Sequence, residues 1–63
     1  MIRRFQRISD PSLYVDVDTD TLEVRRQNGD RSSLPLAFWV QSTRVGLHRE
    51  IVMDPNLRLP EGI

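Results

Sequence analysis

The chain reads as all-β, a single small domain of four or five antiparallel strands in a meander, flat or curled into a small open barrel. Apolar and polar residues alternate strictly through Leu13–Asp18, and apolar positions recur at period two through Leu34–Val40. Asn28-Gly29 is the strongest short hairpin signal in the chain. No segment combines sustained helical spacing with a capping residue at its start.

The opening segment fits two templates. Ile2, Phe5 and Ile8 are spaced by three, whereas Arg3, Phe5 and Arg7 alternate. A bulged strand and a short helical turn both satisfy this, and the surrounding strands favour the strand. Ser9-Asp10-Pro11-Ser12 breaks it, since proline lacks an amide donor and restricts its predecessor.

Residues 13–18 form the most secure strand, with Leu13, Val15 and Val17 inward and Tyr14, Asp16 and Asp18 outward. Thr19-Asp20 turns the chain into a second strand over 21–27. Setting Val17 opposite Leu22 and Val15 opposite Val24 keeps the apolar face continuous and puts Tyr14 opposite Arg25 as a cation–π pair. A loop of Asn28-Gly29-Asp30 then sets Val24 opposite Leu34, because an even-length loop would mix the two faces.

A third strand over 34–41 follows, with Pro35 at its start. Leu34, Leu36, Phe38 and Val40 share one face; Ala37 and Trp39 make the other face apolar too. A helix over 34–45 is the specific rival, since the apolar run is long enough for either. Residues 42–46 read as a polar loop, 47–53 as the last strand, Asp54-Pro55-Asn56 as a turn and 55–63 as an extended tail. The expected core is Val15, Val17, Leu22, Val24, Leu34, Leu36, Phe38 and Ile51.

Length limits what this core can do. A chain of 63 residues hides only about 60% of its unfolded surface. Small domains often compensate with disulfides, a metal or a partner. There is no cysteine and only one histidine, so neither a disulfide nor a metal or other cofactor is expected. Association with another chain is the remaining support. The missing cysteines, together with the lack of a signal-like or membrane-spanning apolar run, point to a cytoplasmic protein.

All nine basic residues are arginine and the net charge is zero. Biased codon use accounts for that choice as well as any preference for planar forks to carboxylate or phosphate. Zero net charge disfavours a sequence-independent grip on nucleic acid. The charges are nonetheless segregated. Residues 1–9 hold three arginines and no acid, 10–24 five acids and no base, and 25–49 five arginines against Asp30. Acidic and basic strands lying side by side would neutralise each other.

Motifs for chemistry fail at their decisive positions. Asp16-Val17-Asp18-Thr19-Asp20 suggests a calcium loop, but Thr21 stands where the EF-hand needs glycine and Gln27 where it needs glutamate. His48 lacks a serine in a nucleophile elbow. A non-catalytic protein is therefore expected.

Trp39 either packs on the less polar side of its strand or, exposed on the second apolar face, is the anchor of a binding site, because tryptophan, tyrosine and arginine dominate binding hot spots. Tyr14, Arg25, Arg44 and Arg49 are its candidate companions. The function these features suggest is a protein-interaction module, such as a regulatory or accessory subunit. It would dock on a larger protein, or on a second copy of itself, through a strand edge or the Trp39 face. The alternative is a small β-barrel that binds nucleic acid by stacking bases on aromatics beside arginines.

Overall fold

The computed structural model describes residues 1–57 and 59. Four antiparallel strands and one short helix make up the described fold: β1 (Ile2–Arg7), β2 (Tyr14–Asp18), β3 (Val24–Arg26), α1 (Leu36–Arg44) and β4 (His48–Ile51). The sheet is open, in the order β3-β2-β1-β4. β1, β2 and β3 form the expected meander, but β4 pairs with β1 after the chain crosses over through α1. The fold is mostly sheet, not all-β, and the sheet does not close into a barrel.

The ambiguous opening segment is a strand and sits inside the sheet. Phe5 lies opposite Val15 on β2 and opposite Glu50 on β4. Pairing on both sides gives β1 a ladder that no three-spaced helical turn could match.

The largest correction concerns the strand expected over 34–41, where the rival helix forms instead, as α1 over Leu36–Arg44. Alternation at 34, 36, 38 and 40 is compatible with either structure. Helical spacing instead groups Leu36, Trp39 and Val40 on one face. A strand would have added a second apolar surface, whereas a helix covers the one the sheet already has. The helix starts at Pro35, in extended backbone and without a side-chain cap, which is why no start signal is visible. Its end is marked clearly. Gly46 (φ +81°) takes the left-handed position. Its N–H donates to the Thr43 carbonyl at 3.3 Å, and Leu47 N–H donates to that of Ser42 at 3.0 Å. The loop expected over 42–46 is this last turn and its cap.

Phe5, Val15, Val17, Val24 and Trp39 form the buried core, with Leu36 and Val40 packed against it. Ile2 is buried outside that cluster. Of the expected core, Val15, Val17 and Val24 are buried; Leu36 and Ile51 are half-buried. Leu22, Leu34 and Phe38 are exposed.

Leu22 is lost from the core because the β2–β3 register slips by two residues. Val17 pairs with Val24, and Asp16 with Arg25. The turn closes with Leu22 N–H donating to Asp18 O at 2.8 Å, and Leu22 itself adopts φ +64°. Asp18 is buried, and its Oδ1 accepts from the backbone N–H of Asp20 at 2.9 Å. A slip of two preserves the faces, so the apolar side of the hairpin survives. Beyond β3, Arg25 bridges to Arg31, and Gly29 (φ +89°) shapes the Asn28-Gly29 turn. Val24 O accepts from Ser32 N–H, so Leu34 is not its partner.

Leu57 N–H donates to Asp54 O at 3.1 Å in the expected turn. Residues 58 and 60–63 of the expected tail lie outside the described residues.

Candidate interaction surface

The two faces of the sheet differ in kind. Phe5, Val15, Val17 and Val24 lie on the face under α1. The opposite face is polar, because the pairing registers place alternate residues there in rows. Tyr14, Gln6 and Arg49 form one row; Arg25, Asp16 and Arg4 form the next.

The polar face is largely self-neutralised. Arg4 donates from both Nε and Nη2 to the two oxygens of Asp16, at 2.7 and 2.9 Å. Such a paired fork is the strongest ion-pair geometry available. The Arg4 guanidinium also sits 4.0 Å from the Tyr14 ring centroid. The expected Tyr14–Arg25 stack is therefore corrected to Tyr14–Arg4, since Arg25 faces Asp16 once the register has slipped. Arg25 Nε donates to Glu23 Oε1 at 2.9 Å, and its Nη1 to Gly29 O at 3.1 Å. Arg31 joins the same Glu23 oxygen at 3.2 Å. Arg25 Nη2 is buried without a partner among the described residues. On the other face, the one under α1, Arg3 pairs with Glu50 through two hydrogen bonds, which hold the Glu50 carboxyl below its ordinary value.

Trp39 is 6% exposed, which corrects the expectation of an open anchor. Its indole Nε1 donates to Leu34 O at 3.2 Å. Phe38 and His48 meet it edge-on, with ring centroids at 4.9 and 5.3 Å. Alternation had grouped Phe38 with the core and Trp39 with solvent; the helix exchanges them. Phe38 is 42% exposed.

Ser42 is buried, and its Oγ lies 2.5 Å from His48 Nδ1. Burial first, and then the charge of Arg7, push the His48 pKa down. Hydroxyl and imidazole could form half of a catalytic pair. Among the described residues, however, His48 makes no hydrogen bond to a carboxylate, and no pocket opens there. The contact ties α1 to β4.

That tie also fixes which way the helix faces. Phe38, Ser42 and Val45 follow one another by four and three residues and so share a flank. Since Ser42 reaches β4, this flank lies on the side of the sheet's edge strand. Leu34 lies just before the helix, in the extended segment that leads into Pro35. Leu34, Phe38 and Val45 are all exposed, and Val45 reaches 68%. Ile8 N–H donates to Leu47 O at 3.1 Å, bringing two more exposed apolar side chains to the place where α1 meets β4.

The five expected site residues do not converge. Tyr14, Arg25 and Arg49 share the polar face, Trp39 is internal, and Arg44 is exposed on the last helical turn. Arg49 Nε donates to Gln6 Oε1 at 3.0 Å. The residues missed from sequence are Phe38, Val45, Leu47 and Ile8. The spacing of Phe38, Ser42 and Val45 signals the flank once a helix is chosen.

No group of three or more metal-ligating side chains occurs among the described residues. No helix among them is long and apolar enough to cross a membrane. Comparison with known protein families, curated proteins and solved structures gave no match.

Proposed function

We propose that this chain is a non-catalytic protein-interaction module, acting in the cytoplasm as an accessory subunit that docks on a larger protein. The docking element is the flank of α1 formed by Phe38 and, at its C-cap, Val45. The observation that carries this reading is the exposure of Phe38 on the same flank as the exposed Val45. A large aromatic held on a helix is a rigid anchor that loses little entropy on burial. Its backing against Trp39 fixes it further.

A foreign partner fits better than a second copy. A nine-residue helix is only about 14 Å long. Two such flanks packed together fall well short of the roughly 800 Å² per partner of a stable interface. Nucleic-acid binding has less support than before. Arg4 covers one face of Tyr14 and Trp39 is internal, so Phe38 alone would be left to stack on a base.

The test compares proteins retained from a cell extract by the immobilised wild-type, Phe38→Glu and Leu22→Gly chains. Leu22 is an exposed apolar residue on a different turn and serves as the control. Partners kept by wild type and Leu22→Gly but lost by Phe38→Glu support the reading. Identical retention by all three overturns it.

A further inference from the structure

We propose that the partner presents an extended acidic peptide, which adds as a strand to the outer edge of β4 with apolar side chains under the Phe38–Val45 flank. This inference rests on the interaction reading above and specifies what the surface recognises. Three features of this end of the molecule converge on it.

The first is an open edge. β4 ends the sheet order and, among the described residues, has a strand neighbour only in β1. Its other side therefore offers backbone donors and acceptors to an incoming strand.

The second is the overhanging flank. The Ser42–His48 contact sets the exposed side of α1 beside that edge. A strand added there has one face toward Phe38 and Val45 and the other continuing the polar face of the sheet. Its side chains must then alternate, apolar toward the helix and polar away from it.

The third is uncompensated positive charge. Arg3, Arg4, Arg25 and Arg31 are all ion-paired. Arg49, like Arg26 on the far strand and Arg44 on the helix, forms no ion pair among the described residues, and residues 31–49 contain no acid at all. The Arg7 side chain donates to Ser9 Oγ and helps to lower the Asp10 carboxyl, so its charge is partly compensated and Arg49 is the cation that an added strand on β4 would meet. Nearby acids are already committed. Glu50 holds Arg3, while Asp10 accepts from Ser12 and is also lowered by Arg7. Arg49 lies on the polar face of β4, where the polar side chains of an added strand would stand. Carboxylates there match its charge and its planar fork.

The probe is a synthetic peptide of about eight residues, a typical strand length, alternating Glu and Val. It is titrated into the intact chain at low salt, with fluorescence of Trp39 and backbone hydrogen exchange in β4 as readouts. The expected result is saturable binding with slowed exchange at His48–Ile51. Arg44→Gln, on the side of the helix away from Ser42, should leave binding unchanged, whereas Arg49→Gln should weaken it about two- to fivefold. A Gln/Val peptide should show a similar loss. Both arginines are exposed, and circular dichroism confirms that the variants fold.

Equal affinity for the Glu/Val and Gln/Val peptides, or unaltered binding by Arg49→Gln, overturns the proposal. So does binding to anionic phospholipid vesicles but not to the peptide. These results leave the capture experiment with Phe38→Glu unaffected, so the two readings fail separately.

Discussion

The end of the sheet around the β2–β3 hairpin and the end where α1 meets β4 both carry arginines beside apolar residues, but they use them differently. At the hairpin, Asp16 and Glu23 take up Arg4, Arg25 and Arg31, while the valines turn inward. At the other end, Arg44 and Arg49 find no acid, and Ile8, Phe38, Val45 and Leu47 stay in solvent. Composition alone does not distinguish the two. Ion pairing takes up most of the charge at the first, and the second is left with apolar area outside the core that Trp39, Leu36 and Val40 complete from the helix. The recognition proposed above falls to that second end.

The sharpest contrast is between adjacent residues. Trp39→Ala should remove about 3–5 kcal/mol, comparable to the whole stability of a small domain, and leave the chain largely unfolded. Phe38→Ala should cost only about 1 kcal/mol, mainly its edge-on contact with Trp39. Chemical denaturation followed by circular dichroism separates the two. Similar midpoints would mean that the helix is wrongly oriented.

Next comes the difference between paired and unpaired arginines. Asp16→Asn takes the charge from the half-buried Arg4 fork and should cost about 1–3 kcal/mol. Arg44→Gln should change the midpoint by less than about 0.5 kcal/mol. Equal effects would erase the distinction between the two ends.

Acid should act on the α1–β4 end first. The folded pKa of His48 is lowered, so the unfolded chain binds the extra proton more readily. Stability therefore falls as pH drops through the ordinary histidine value near about 6.5, and the full loss is reached below the lowered value. Glu50 is also lowered, so its contribution is present above its ordinary pKa of 4.5 and disappears as pH falls through the lowered one. Melting temperature against pH should show the mildly acidic step in wild type and not in His48→Asn.

The smallest effect is at Leu22, whose φ of +64° a bulky L-residue adopts at a cost of about 1–2 kcal/mol. Glycine relieves that strain but is more flexible when unfolded. Leu22→Gly should therefore leave stability unchanged or raise it by up to about 1 kcal/mol, read from the same denaturation curves.

How legible each part was follows from how many templates its residues satisfy. Val15 and Val17 fit only a strand, and β2 appears as expected. Leu36, Phe38 and Val40 fit period two, while Leu36, Trp39 and Val40 fit a helical turn. The decision between them lay in which arrangement could cover the Phe5–Val17 face. That is a tertiary matter, and Gly46 was its one local clue. Choosing the strand moved Trp39 outward and Phe38 inward, so the same choice misplaced both the core and the anchor. Tyr14 and Arg25 lie on the polar face, the side that alternation gives them. Their partners were not readable, because Arg4 came from the segment with two templates and a two-residue slip moved Arg25 from Tyr14 to Asp16.

Backbone amide spectra of the isotopically labelled chain, recorded with and without the alternating Glu/Val peptide, test the division of labour most directly. Shifts are predicted at Arg7 and Ile8, along Phe38–Val45 and through His48–Ile51, with the β2–β3 hairpin unmoved. Shifts centred on Tyr14, Asp16 and Arg25, or a spectrum that does not change, would contradict it.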